Sequence, residues 1–382
     1  MLFGVSSSLS TREGYIPLSE KLRSMNWGLV LLIILVAGIG YLALYSAGGG
    51  TAQPWAERHI IRFAIILIPM IAIALIDLRV WFRLAYPAYF VAFMLLLAVE
   101  IMGDIGMGAQ RWINLGVIRL QPSEVMKIGV IMALAKYYHS IALEEVKRWR
   151  ALIIPMLIIG APVGLVLLQP DLGTALMIAV GGTLVMFLGG VRWWKFVGAG
   201  VIALASIPIA WQFLHEYQKK RILTFLNPEA DPLGSGYHIM QSKIALGSGG
   251  IGGKGFLKGT QSHLNFLPEK QTDFIFTLLA EEWGLTGGIV LLGLFALIFL
   301  YGFLIALRAR HHFGRLLALG LTINFSLYIF INIAMVMGLM PVVGVPLPLI
   351  SYGGTVMLTS MISFGLIMNV YCHRDIKIPR FI

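Results

Sequence analysis

A single cysteine, Cys372, stands in a chain of 382 residues. No intrachain disulfide is therefore possible, and no Cys/His cluster occurs at the spacing of a structural metal site. Charge is scarce too: Asp, Glu, Lys and Arg make up 12% of the chain, against 58% hydrophobic residues and a mean hydropathy of +0.84. That balance excludes a soluble domain and describes a polytopic membrane protein whose apolar surface faces lipid. Negative charge is the scarcer sign, with 18 Asp plus Glu against 29 Lys plus Arg and a net charge of +11. No Walker pattern accompanies the 43 glycines, which argues against ATP as a ligand.

What is present is a series of long apolar runs. About ten spans are predicted, at roughly 27–47, 60–77, 82–102, 123–138, 151–168, 173–190, 196–213, 284–307, 317–338 and 352–372. Spans four to six lie near the lower limit for crossing about 30 Å of hydrocarbon. The first run is too long for a cleaved signal, and further spans follow it. The predicted fold is an all-α polytopic integral membrane protein. It has a short segment 1–26, a ten-span domain 27–372 that includes a large loop 214–273, and a tail 373–382.

With the N-terminus inside, 17 Lys and Arg fall in inner segments, Arg12 among them, and only Arg58, Arg62, Arg111 and Arg119 fall in short outer loops or at their span edges. The positive-inside rule then puts both termini in the cytoplasm. Most of the net charge reads as orientation signal and affinity for anionic membrane lipids, so no nucleic-acid partner is expected.

Function is expected on the outer face, where the long polar material lies. Segment 214–273 is far longer than an ordinary connection, and its spaced aromatic and apolar residues, such as Phe225, Tyr237 and Phe256, argue against disorder. Its glycine run, GSGGIGGKG at 247–255, resembles a phosphate cradle flanked by Lys243, Lys254 and Lys258. A plain flexible turn is the competing reading. The segment closes on LPEKQTDFIF, where Pro268, Glu269, Thr272 and Asp273 run into an apolar stretch. An ionisable group at a membrane boundary costs free energy, so a carboxylate there suggests a base acting on a lipid-borne substrate.

Three further polar groups stand out. In GAQRWINLGVIRLQPSEVMK, residues 108–127, Arg111 and Trp112 fit an interfacial anchor with a guanidinium for phosphate. Ser123 is a possible helix cap, and Glu124 and Lys127 are spaced to pair on one helical face. Such a pair either satisfies itself or lines a substrate cavity; the outer loop just before Glu124 favours the cavity. In QPDLGT, Asp171 is either a helix cap or a second cavity carboxylate. Finally PVVGVPLPLISYGG, 341–354, breaks the helical pattern with three prolines and three glycines, as a segment lining a site does, and makes Ser351 a candidate substrate contact.

GAQRWINLG, LLQPDLGT, FLPEKQTDFIF with AEEWG, and PLPLISYGG, taken in order, resemble the signatures of the SEDS family (shape, elongation, division and sporulation) across about 110–365. The stretch KGFLKGTQSHLNFLPE is more similar to the rod-shape branch than to the division branch; Asn265 and His263 are variations within it. The resemblance implies a peptidoglycan glycosyltransferase that polymerises lipid II during elongation. It also implies a class B penicillin-binding protein as crosslinking partner within the elongation complex, and an essential aspartate at Asp273. The chemistry agrees. A donor sugar carrying pyrophosphate needs charge neutralisation and no proton, so one base plus cations or a divalent cation (Mg or Mn) suffices. A lipid-linked precursor flippase and a non-catalytic scaffold are the alternatives; neither needs a base.

Overall fold

The computed structural model describes residues 17–380, apart from 107, 108, 115, 117, 118, 214, 215, 232, 233, 265 and 268. Arg12, Asn265 and Pro268 lie outside the described residues.

After the short α1 (Leu18–Ser24), four long helices follow: α2 (Trp27–Ala47), α3 (Ala56–Leu75), α4 (Leu78–Met102) and α5 (Pro122–Ser140). A single turn, α6 (Leu143–Val146), precedes α7 (Ile153–Leu168), α8 (Leu172–Leu188) and α9 (Trp193–Phe213). The long segment after α9 then folds into α10 (Glu216–Leu226), α11 (Ser235–Ser248) and α12 (Thr260–His263). The chain ends with α13 (Ile275–Arg308), α14 (His312–Val336) and α15 (Gly354–Cys372). Each predicted span thus falls on a helix, and the fold is that of a multi-pass membrane protein. Among the described residues, seven helices are long and apolar enough to cross a membrane, and α8 and the stretch Trp193–Ile209 of α9 are shorter apolar segments. Helix α5 is not among them. It carries Glu124, Lys127, Lys136 and His139 and is buried along nearly its whole length, so protein surrounds it on almost every side.

The core sits where α14 packs on α5, α8, α13 and α15. The Arg111 region holds a small antiparallel sheet that helix-only reasoning did not foresee: β1 (Asp104–Gly106), β2 (Ala109–Asn114) and β3 (Arg119–Leu120), in that order. Trp112 lies opposite Asp104, and Asn114 opposite Arg119. Nor does Ser123 cap α5, which starts from Gln121 with Pro122 in its first turn and no side-chain cap.

Helix α13 is two helices joined at Gly284, whose φ of 67° and ψ of −162° break the ladder. Its first part, Ile275–Trp283, is mostly buried, with Glu281 and Glu282 at 0% and 1% exposure. A broken helix strands carbonyls on one side and N–H groups on the other, and away from water these need partners. The glycine run supplies them. Lys254 N and Gly255 N donate to Glu281 O and Glu282 O at 3.0 Å each, while Leu285 N and Thr286 N donate to Gly250 O and Ile251 O at 2.9 and 3.1 Å. Backbone can approach backbone this closely only without side chains: a Cβ on Gly249 or Gly253 would lie 2.1 Å from the carbonyl oxygen of Ala280 or Glu282. The run therefore mends a helix, and the phosphate-cradle reading is corrected.

Gly253→Ala is accordingly expected to lower the melting temperature sharply. It adds a backbone clash to a φ of +78°, a conformation that alone costs a side-chain-bearing residue about 1–3 kcal/mol. Gly247→Ala, with nothing within 4 Å of the added methyl, is the control and should leave thermal unfolding unchanged or slightly improved.

Candidate active site

Asp273 lies in the turn that leads into α13. The turn is closed locally by Thr272 N and Phe274 N, which donate to Glu269 O at 3.1 and 3.3 Å, and by Thr272 Oγ1, which donates to Glu269 Oε2 at 2.8 Å. It is docked through three consecutive carbonyls. Tyr352 N donates to Gln271 O at 2.8 Å, Ser351 Oγ to Thr272 O at 2.6 Å, and Asn332 Nδ2 to Asp273 O at 2.8 Å. Ser351 also accepts from Leu347 N at 2.8 Å, so its hydroxyl is a clip between two turns and not a substrate contact. Gly344 comes so close that a Cβ there would lie 3.4 Å from Asp273 Oδ2.

Burial pushes the half-buried Asp273 carboxyl up to about 6, with the Glu269 charge adding to the rise and the Arg221 guanidinium on α10 opposing it. A carboxylate in that range is largely ionised at neutral pH yet more basic than an exposed one. Burial also holds His238 of α11, whose ring centroid lies 6.3 Å from that of Phe274, below the usual histidine range.

A second cluster is fully internal. Lys127 Nζ pairs with Glu124 Oε1 at 2.7 Å, and the Tyr328 hydroxyl is hydrogen-bonded to both side chains. Thr359 Oγ1 donates to Glu124 Oε2 at 3.4 Å. Exposures of 4% for Glu124, 2% for Lys127 and 3% for Tyr328 leave no route for substrate. The cavity beside Glu124 is about 10 Å³, room for about one water and not for a sugar or a phosphate. Burial thus favours the self-satisfied pair over the substrate-cavity reading.

Arg111 and Asp171 form a third group. Asp171 caps α8, accepting from Thr174 N at 3.1 Å and from Thr174 Oγ1 at 2.9 Å, and it also accepts from Gln121 Nε2 at 3.2 Å. Arg111 Nε donates to Gln169 O at 3.2 Å and lies 3.8 Å from Asp171, while its Nη2 donates to Pro170 O. The guanidinium thus pins β2 to the carbonyls that end α7, where positive charge is favoured. Trp112 is half-buried next to it on the same strand.

Lys254 pairs with Glu281 Oε1 at 2.8 Å. Glu281 also accepts from Gln261 N, Ser262 N and Ser262 Oγ at 2.9, 3.2 and 3.0 Å. Lys243 extends over Gly338 at the end of α14. Neither lysine is brought to Asp273 by the contacts it makes. Of the sequence candidates the structure therefore gathers Asp273, Glu269 and Ser351 in one place, Glu124 and Lys127 in a second, and Arg111, Trp112 and Asp171 in a third. Sequence reasoning missed Asn332 and Tyr328, and it quoted Glu281 and Glu282 within the AEEWG signature without giving them a role. Its available signal was the same for all four: polar side chains inside apolar stretches, which need a buried partner.

The FtsW/RodA/SpoVE model, described as a cell cycle protein family, matches residues 25–376. The chain belongs to that family. It is 46% identical over 349 residues to the peptidoglycan glycosyltransferase MrdB of Escherichia coli K12, covering 90% of this chain and 93% of that protein. It is 38% identical to the probable peptidoglycan glycosyltransferase FtsW of Coxiella burnetii, covering 92% and 98%. Its fold matches the crystal structure of the rod shape determining protein RodA of Thermus thermophilus with a TM-score of 0.69 at 30% identity over 92% of this chain and 98% of that one. A chain of a peptidoglycan synthase complex, solved for the structural coordination of polymerization and crosslinking, matches with a TM-score of 0.80 at 32% identity, covering 92% and 98%.

Proposed function

We infer that this chain is a peptidoglycan glycosyltransferase that polymerises lipid II into glycan strands during cell elongation, with Asp273 as the general base. One observation carries the chemistry: a half-buried carboxylate is held by main-chain docking at the head of a buried helix. Asp273 takes the proton from the acceptor sugar hydroxyl as that oxygen attacks the donor's anomeric carbon. The lipid pyrophosphate leaves in the same displacement, and the configuration inverts. The leaving group needs positive charge, and Arg221 is the cation whose field reaches Asp273. Among the described residues no three His, Cys, Asp or Glu side chains converge as a metal-holding group. A divalent cation (Mg or Mn), if used, would arrive with the pyrophosphate and neutralise the charge of the leaving group.

The multi-pass fold and the excess of inner Lys and Arg support a bacterial plasma membrane location with both termini cytoplasmic. The likeness to a chain from a polymerising and crosslinking complex supports a class B penicillin-binding protein as partner, within the elongation complex. The test is incubation of purified lipid II with the purified protein and that transpeptidase. Glycan ladders on a gel are the expected product. Translocation of labelled lipid II across vesicles with no ladders would make the protein a flippase.

A further inference from the structure

Asn332 lies in the middle of the last turns of α14 and is completely buried, at 0% exposure. Its Nδ2 donates to Asp273 O at 2.8 Å and to Val345 O at 2.7 Å. A side-chain amide has two N–H donors, so both are used. This one group therefore ties together two non-helical stretches, the 269–274 turn and the 341–354 segment, neither of which has a ladder of its own at that point. Its Oδ1 is buried with no hydrogen-bond partner among the described residues. Leaving an acceptor unsatisfied carries a desolvation penalty that an apolar side chain of the same size avoids. Packing alone thus does not call for an amide here; holding two carbonyls does.

The helix carrying Asn332 is itself fixed. One turn earlier, on the same face, the Tyr328 hydroxyl is bonded to Glu124 and Lys127 of α5. A buried, charge-bearing cluster therefore pins α14 next to the point where it meets the Asp273 main chain. Ser351 and Tyr352 hold the two preceding carbonyls from the other side.

We propose that Asn332 is a positioning residue for glycan polymerisation, fixing the Asp273 main chain so that the carboxylate stays half-buried in one place. The proposal rests on Asp273 being the base. The titratable groups that face Asp273 are Glu269 on its own turn, Arg221 on α10 and, across Phe274, His238 on α11. Helix α14 meets it with Asn332 and the 341–354 segment with Gly344, neither of which titrates. If the Asp273 carbonyl is released, the turn gains water. The carboxylate then becomes an ordinary and weaker base, and it also loses its alignment.

The experiment compares Asn332→Leu and Asn332→Ser with the unsubstituted chain, each full length with its transpeptidase, in lipid II polymerisation from about pH 4 to pH 8. For Asn332→Leu the rate at saturating substrate should fall by about a hundredfold with KM within about threefold, the size expected of a base displaced by about 1 Å. The acid limb of the rate profile should move down from about 6 towards about 4. Asn332→Ser keeps one hydroxyl donor and should fall between the two. A reduced rate with an unmoved acid limb would mean only fewer active molecules, and would overturn the proposal. Normal rates in both variants would do the same, as would aggregation of both, since Asn332 would then hold the fold and not the base. Asp273→Asn is assayed alongside. If it stays active, the base assignment itself falls; if it is dead while the Asn332 variants are normal, only this inference falls.

Discussion

Asp273→Asn is expected to reduce lipid II polymerisation by about a hundredfold to ten-thousandfold, the range a general base supplies, with insertion and partner binding intact. The amide keeps the shape of the carboxylate and its place in the turn, because docking runs through the carbonyls of Gln271, Thr272 and Asp273 and not through the side chain. It removes only the ability to accept a proton. Stability should move the other way. Burial raises the Asp273 carboxyl to about 6 in the folded chain from its ordinary 3.8, so the native state holds an extra proton between those values and loses stability as pH rises through that window. At neutral pH the ionised carboxylate, buried beside Glu269, is a net destabilising group. The Asn variant should therefore melt at the same temperature or higher at pH 7, and its advantage should vanish below about pH 4. In the unsubstituted chain, polymerisation should rise through about pH 6 as the base form appears. A variant that is inactive because it melts early would instead point to a packing role for Asp273. A variant that makes normal glycan would remove the residue from the mechanism.

The helices were legible in the sequence because lipid imposes a length and a hydropathy that protein surroundings do not. The exceptions follow the same logic. Helix α13 begins at Ile275, although its predicted span begins at 284, because Ile275–Trp283 is surrounded by protein and can carry Glu281 and Glu282. The chemistry-bearing position, Asp273, could be singled out because a carboxylate next to an apolar run is expensive. Its supports could not. Asn332 meets Asp273 across 59 positions, and Tyr328 meets Glu124 across 204. No spacing rule reaches that far. The glycine run misled for a different reason: glycine marks close backbone approach, and the sequence does not say whether a phosphate or a helix carbonyl is approaching. Arg111 was ambiguous in the same way, since a guanidinium suits a phosphate and a helix end equally well.

Breaking the pair on α5 is the other change with a large expected effect. Lys127→Met leaves the Glu124 carboxylate buried with only the Tyr328 and Thr359 hydroxyls, and Glu124→Gln leaves the Lys127 ammonium against the Tyr328 ring, 4.1 Å from its centroid. Either single change should destabilise by about 3–5 kcal/mol, because the surviving charge is costlier than the pair was favourable. The double variant should melt above both singles, since Gln can still bond Tyr328 and Met fills the lysine's volume. Turnover of lipid II should recover in step with the melting temperature. The geometry supports this outcome: a cavity of about 10 Å³ beside Glu124 has no room for a sugar or phosphate, and the pair acts on the chemistry by holding α14, and with it Asn332, in place. Recovery of the melting temperature without recovery of turnover would show that the charges themselves act on the substrate.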